Sequence, residues 1–116
     1  IAPFGKKVRT FMGESDVFFT LQGPSPATFD WVLVDASHRA ENVLRDLVHA
    51  DYALKPGGIL CADDYLWWEN EGKHLAERPK AAIDAFWLAR QWDYEILSWD
   101  YQVWLRKRDD AGSIRR

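Results

Sequence analysis

The chain is poor in cysteine, in clustered basic residues and in long apolar runs, and each shortage removes a class of function. A single cysteine, Cys61, cannot form an internal disulfide and suits a reducing cytoplasm. The only basic runs are Arg106-Lys107-Arg108 and Arg115-Arg116, and the formal net charge is −3, so nothing here tracks a phosphate backbone and nucleic acid is not an expected partner. No apolar run approaches the roughly 20 residues of a membrane-spanning helix, and no signal peptide is visible, so no membrane partner is expected. What is present is apolar and aromatic. With 116 residues, 47 % of them hydrophobic and 15 % aromatic, the chain can bury the core of one small domain and does not fit a disordered segment.

Two apolar runs end in carboxylate. Phe29-Asp30-Trp31-Val32-Leu33-Val34 leads into Asp35, and Gly58-Ile59-Leu60-Cys61-Ala62 leads into Asp63-Asp64. Short runs of this composition read as buried parallel strands, and the stretch between them accommodates one helix. The resulting right-handed βαβ unit points both strand ends at the same sheet edge, where open α/β sheets bind ligands. Asp35, Asp63 and Asp64 should therefore converge. Three carboxylates at one edge repel unless protons or a cation intervene, and a hard, oxygen-seeking divalent metal fits them. The alternative is plain: aspartate after a strand is also a turn former and a helix N-cap.

The remaining elements follow from period and punctuation. Val8 to Met12 alternates like a strand that stops at Gly13. Asp16 to Gln22 reads as a short helix capped by Ser15, with Val17, Phe18 and Leu21 on its buried face, before Gly23-Pro24-Ser25-Pro26 breaks it. Val43, Leu44, Leu47, Ala50 and Leu54 recur at helical spacing after a cap at Ser37, and Lys55-Pro56-Gly57-Gly58 reads as the turn into the next strand. Tyr65 to Arg78 reads as a long loop of the kind that carries function. Pro79 opens a helix to about Gln91, with Ile83, Phe86 and Trp87 inward. Tyr94 to Leu97 and Gln102 to Arg106 form an antiparallel hairpin. The domain thus spans residues 1–108, and 109–116 is a polar, frayed tail. Ile1 to Gly5 carries no start signal, so the chain reads as beginning inside a domain.

In their order and spacing, Phe29 to Asp35, then Leu54-Lys55-Pro56-Gly57-Gly58-Ile59-Leu60, then Asp63-Asp64-Tyr65, resemble the second half of a class I S-adenosylmethionine-dependent methyltransferase. The branch they are most similar to is the metal-dependent small-molecule O-methyltransferases. The resemblance implies a Rossmann-like α/β sheet, mostly parallel with a C-terminal antiparallel hairpin, lacking the first two of seven strands. The Gly-rich cofactor loop and the ribose-binding acid have no counterpart, so about half the cofactor site is expected to be absent. Carried over, the resemblance makes Asp35, Asp63 and Asp64 the ligands of a metal, Mg²⁺ in the first instance. Glu14, Ser15 and Asp35 become cofactor contacts, although Ser15 is equally a helix cap. His38 falls where catechol-type relatives carry a lysine base, although it is equally a solvent-facing residue of the first helical turn. Tyr65, Trp67 and Trp68 would wall the pocket of a small-molecule acceptor, or pack into the core or onto a second subunit.

The expected activity is methyl transfer from S-adenosylmethionine to an oxygen of a small molecule, by a cytoplasmic homodimer. The competing expectation is a non-catalytic interaction module, because a sheet short of strands leaves an open edge and uncovered apolar area.

Overall fold

The computed structural model describes residues 8–67, 74 and 77–112. Helix α1 (Ser15–Gln22) precedes strand β1 (Phe29–Val34), helix α2 (Ala40–Ala53) and strand β2 (Leu54–Ala62). Helix α3 (Pro79–Arg90) then runs through a 3₁₀ turn, Gln91–Asp93, into strands β3 (Tyr94–Trp99) and β4 (Val103–Lys107). The four strands form one sheet in the order β1-β2-β4-β3. The β1–β2 pairing is parallel and the two pairings of β4 are antiparallel, so the partial Rossmann-like α/β architecture with its C-terminal hairpin stands, as a mixed sheet among the described residues.

Alternation fixes which sheet face is covered. Val34 on β1, Leu60 and Ala62 on β2, and Val103 and Leu105 on β4 are buried with Val43, Leu47 and Ala50 of α2 and Ala82, Ile83 and Phe86 of α3. The intervening Trp31 and Leu33 on β1 are exposed, so the helices form a single layer on one side. Lys107 closes the far end of α2. Its ammonium donates to the carbonyls of Asp51 at 2.6 Å and Leu54 at 3.1 Å, beside the Leu54 N–H that also donates to Asp51 O.

The Leu-Lys-Pro-Gly-Gly stretch is a bulge inside β2, not a turn before it. Phe29 pairs with Leu54 and Trp31 with Ile59, so two steps along β1 span five along β2. Gly57 takes a left-handed φ of +85°, and a Cβ on Gly58 would lie 2.7 Å from a Leu54 methyl, 2.8 Å from Lys55 O and 2.9 Å from Asp30 O. The helix therefore ends at Ala53, directly against the strand.

Three local expectations are corrected. Residues 8–12 are not a strand: β1 is an edge of the sheet among the described residues, and no neighbouring strand offers residues 8–12 a ladder. Helix α1 does not bury Val17 and Leu21, which are exposed. It meets α2 through polar groups instead, with Asp16 bonded to Arg45 at 3.1 Å and His49 at 2.7 Å, and Phe19 stacked on the His49 ring. Neither predicted cap acts as one, because Glu14 and Arg39 occupy the N-cap positions. Ser37 accepts from the Arg39 N–H at 3.1 Å, in a turn ahead of the helix.

Of the expected tail 109–116, residues 109–112 lie among the described residues and 113–116 outside them. The N–H of Gly112 donates to Asp93 Oδ1 at 2.7 Å, and the N–H of Arg108 donates to Asp93 O at 2.8 Å. Among the described residues no helix is long and apolar enough to cross a membrane.

Candidate functional site

The ends of β1 and β2 bring the three aspartates together as the parallel register requires. The N–H of Asp63 donates to Val34 O at 3.0 Å, extending the ladder one step past the strands and holding Asp63 beside the start of the Asp35 loop. One carboxylate oxygen from each of Asp35, Asp63 and Asp64 lies within 4.8 Å of the others. All three are accessible, Asp35 most of all.

Asp64 is the most constrained of the three. Its backbone is left-handed, with φ +66°, a region aspartate tolerates better than most residues, and its N–H donates to Asp63 Oδ1 at 2.8 Å. Asp64 Oδ2 meets His38 Nε2 at 3.0 Å, while Oδ1 accepts from the Tyr101 hydroxyl at 2.9 Å. The N–H of Tyr65 also donates to Tyr101 O at 2.8 Å, so the β3–β4 turn is fastened to the acidic edge by side chain and main chain together. Tyr101 was not identifiable in the sequence. Its partner lies 37 positions away, and only the hairpin register brings the two together.

The electrostatics match the crowding. The Asp35 carboxyl is held above the usual carboxylate range, first by partial loss of surrounding water. The charge of Asp63, a hydrogen bond with Asp63 and the charge of Asp64 add to this, and His38 opposes it. The Tyr101 phenol is raised chiefly because its hydrogen bond to Asp64 would be lost on ionisation.

Two hollows flank the acidic edge. On one side, a hollow of about 200 Å³ is lined by Ser15, Phe19, Asp35 and Asp46, and an adjoining cleft of about 400 Å³ by Gly13, Glu14, Ser37, Asn42 and Arg45. Glu14, Ser15 and Asp35 are thus brought around one concavity, with the Ser15 hydroxyl donating to Asp46. On the other side, an open groove of about 510 Å³ runs from Asp63 along Ser98, Asp100, Tyr101, Gln102 and Trp104.

The aromatic residues separate. Trp67 stacks on His38 with ring centroids 3.7 Å apart and donates its N–H to Asp64 O at 3.0 Å. Tyr65 turns toward α3, donating to Asp84 Oδ1 at 2.7 Å with its ring edge-on to Trp99. Trp68 lies outside the described residues.

The donor set is compatible with a divalent cation. It is all oxygen, carries up to three negative charges, and a carboxylate that accepts one hydrogen bond on each oxygen retains lone pairs for a metal. Asp64 would then keep His38 and Tyr101 as its outer partners.

A parallel βαβ unit with acidic strand ends and hollows on both sides defines a Rossmann-like α/β domain, a class whose ligands bind at the sheet edge. Residues 4–65 match the sequence profile of a methyltransferase domain family, and the chain belongs to that family, a domain of the class I S-adenosylmethionine-dependent type. The match covers the α1 cleft and all three aspartates and stops before α3 and the hairpin. No curated protein matches the chain.

Proposed function

We propose that the domain serves methyl transfer from S-adenosylmethionine to a hydroxyl oxygen of a small molecule, with Asp35, Asp63 and Asp64 holding a divalent cation such as Mg²⁺. The observation that carries this reading is the three-carboxylate edge lying between two separate hollows, which gives a donor and an acceptor room on opposite sides of one charged centre. Glu14, Ser15 and Asp35 face the donor in this reading, across the cleft that lies within the family match.

A divalent cation bound there would lower the pKa of an acceptor hydroxyl and hold its oxygen in place. His38 is the base. An ionised Asp64 only accepts, so the neutral imidazole carries its proton on Nε2 and leaves Nδ1 as the basic nitrogen. The acceptor oxygen takes the sulfonium methyl, its proton passes to His38, and S-adenosylhomocysteine departs with the electron pair of the broken S–C bond. Trp67, stacked on the ring, keeps the imidazole from rotating away from Asp64.

Calorimetric titration with S-adenosylhomocysteine and thermal melts with and without Mg²⁺ test the reading. The expected result is saturable nucleoside binding and a Mg²⁺-dependent rise in Tm that Asp35→Asn and Asp63→Asn each abolish. Absence of both effects in the unmodified chain returns the aspartates to turn formation.

A second reading, an interaction module that pairs with another copy, is favoured by β1 having no further strand beside it among the described residues and by its exposed Phe29, Trp31 and Leu33. Sedimentation velocity over a range of concentrations separates the two, since this reading requires a dimer whether or not a nucleoside binds.

A further inference from the structure

We infer that helix α1 is a hinged cover over the hollow beside Asp35, latched onto α2 through the single carboxylate of Asp16, and that its opening governs access of the nucleoside donor. The identity of the ligand rests on the methyl-transfer reading, whereas the hinge and the latch stand on geometry. Three observations carry the inference.

The first is position. Ser15 and Phe19 of α1 form one wall of the hollow of about 200 Å³, and Val34, Asp35, Asp46 and Ala50 contribute to the rest. Gly13 and Gly23 bracket the helix, both at positive φ, and a Cβ on Gly23 would meet nothing within 4 Å. Among the described residues, none of α1 belongs to the buried core, so the helix can leave without unpacking α2 or the sheet.

The second is the nature of the attachment. A helix of eight residues does not hold its shape alone in water, so α1 depends on what it touches. Apolar burial supplies little of this, because Val17 and Leu21 are 43 % and 69 % exposed. Phe18 turns to Phe11, within the same segment. The links to α2 are polar. Asp16 Oδ1 meets His49 Nε2 at 2.7 Å, Asp16 Oδ2 pairs with Arg45 at 3.1 Å, the Ser15 hydroxyl donates to Asp46, and the Phe19 ring stacks on His49 with centroids 4.4 Å apart.

The third is the strength of that attachment. Asp16, Arg45 and His49 all remain partly exposed, and ion pairs in such surroundings are weak and screened by salt. An element held in this way opens locally, at far less cost than global unfolding. Helix α2, with Val43, Leu47 and Ala50 in the core, is held differently.

The test is native-state hydrogen exchange on the ligand-free chain in about 0.05 M and about 0.5 M NaCl. The amides of Phe18 to Leu21 should exchange at least about a hundredfold faster than those of Leu47 and Leu60, relative to their unprotected rates. Asp16→Asn should speed the α1 amides by a further threefold to tenfold or about that, and higher salt should speed them in the parent but hardly in the variant. Arg45→Gln, which leaves the sequence of α1 intact, should accelerate the same amides by a smaller factor. Exchange of α1 in step with Leu47, or a salt effect that Asp16→Asn leaves unchanged, overturns the inference. So does acceleration by Asp16→Asn alone, which would assign the effect to the charge of Asp16 on its own helix dipole.

A second arm adds S-adenosylhomocysteine, with binding followed by calorimetry. The expected result is that bound nucleoside slows exchange of the α1 amides, and binding without that slowing overturns the cover. Absence of nucleoside binding alongside the expected salt and variant effects removes the methyl-transfer reading and leaves the hinge and latch standing.

Discussion

At Asp64, one backbone angle and two hydrogen bonds do the work of arranging a site. The left-handed φ sets the course of its backbone after β2, and His38 and Tyr101 hold its carboxylate. Asp64→Asn keeps both partners and a side chain that tolerates this conformation, so it should cost under about 1 kcal/mol. Asp64→Ala loses both bonds and places a Cβ residue at positive φ without compensation, and should cost about 1–3 kcal/mol in urea unfolding. Equal destabilisation by the two variants would contradict the role given to the backbone. Gly58 makes a second residue-scale case. Because backbone oxygens of Asp30 and Lys55 occupy the space of a Cβ, Gly58→Ala should destabilise by about 2–4 kcal/mol, as read by chemical denaturation. Gly23→Ala meets open space and bears only the cost of its left-handed φ, so it should cost markedly less.

Elements with a strong internal period were readable before any coordinates. Helix α2 announces itself through Val43, Leu47 and Ala50, α3 through Pro79 and the Ile83–Phe86 spacing, and the hairpin through two runs flanking Ser98 to Tyr101. What failed depended on partners. Residues 8–12 have the composition of a strand, yet a strand exists only where a neighbour completes its ladder. Helix α1 misled because its contact with α2 is made by Asp16, Arg45, His49 and Ser15, and apolar periodicity is silent about a polar interface. The aspartates were legible because strand ends converge by topology, whereas Tyr101 reaches them only through side-chain geometry. The contact that ends α2 supplies the prediction at this scale. Lys107→Met should remove the ammonium's bonds to the carbonyls of Asp51 and Leu54 and its share of the Asp51 ion pair, while Asp51 keeps Arg90 and its carbonyl keeps the Leu54 N–H, costing about 1–2 kcal/mol. Lys107→Arg should recover part of that, and a Met variant as stable as the parent would show that water replaces the ammonium.

Across the whole molecule, the buried ionisable groups set the alkaline limit of stability. Burial, with smaller contributions from the charges of Asp63 and Asp35, pushes the Cys61 thiol from 9.0 up to about 11. Burial, together with the adjacent Asp51 carboxylate, also raises the Tyr94 phenol well above its ordinary 10.0. An unfolded chain ionises both groups earlier than the folded one does. Their stabilising effect is therefore complete below about pH 9 and declines as pH rises through the folded values. The thiol alone accounts for about 2–3 kcal/mol between about pH 9 and 11. Urea unfolding at about pH 8 and about pH 10.5 should show this loss, and Cys61→Ala should flatten it. Over the same range, the thiol of the native chain should react with a disulfide reagent only as fast as the protein opens. Rapid, complete labelling at pH 8 would place Cys61 in solvent and defeat the argument.

The fastening of the β3–β4 turn to Asp64 has a consequence for the order in which the protein is made. Asp35, Asp63 and Asp64 leave the ribosome well before Tyr101, whose hydroxyl and carbonyl hold Asp64 and Tyr65. A nascent chain truncated before the hairpin would carry every carboxylate of the edge without the clamp that orients one of them. It would also lack β4, which covers the far side of β2. On the function proposed above, a chain truncated before the hairpin should therefore bind its ligands more weakly than the chain that carries it, a difference that titration of the two with S-adenosylhomocysteine would read.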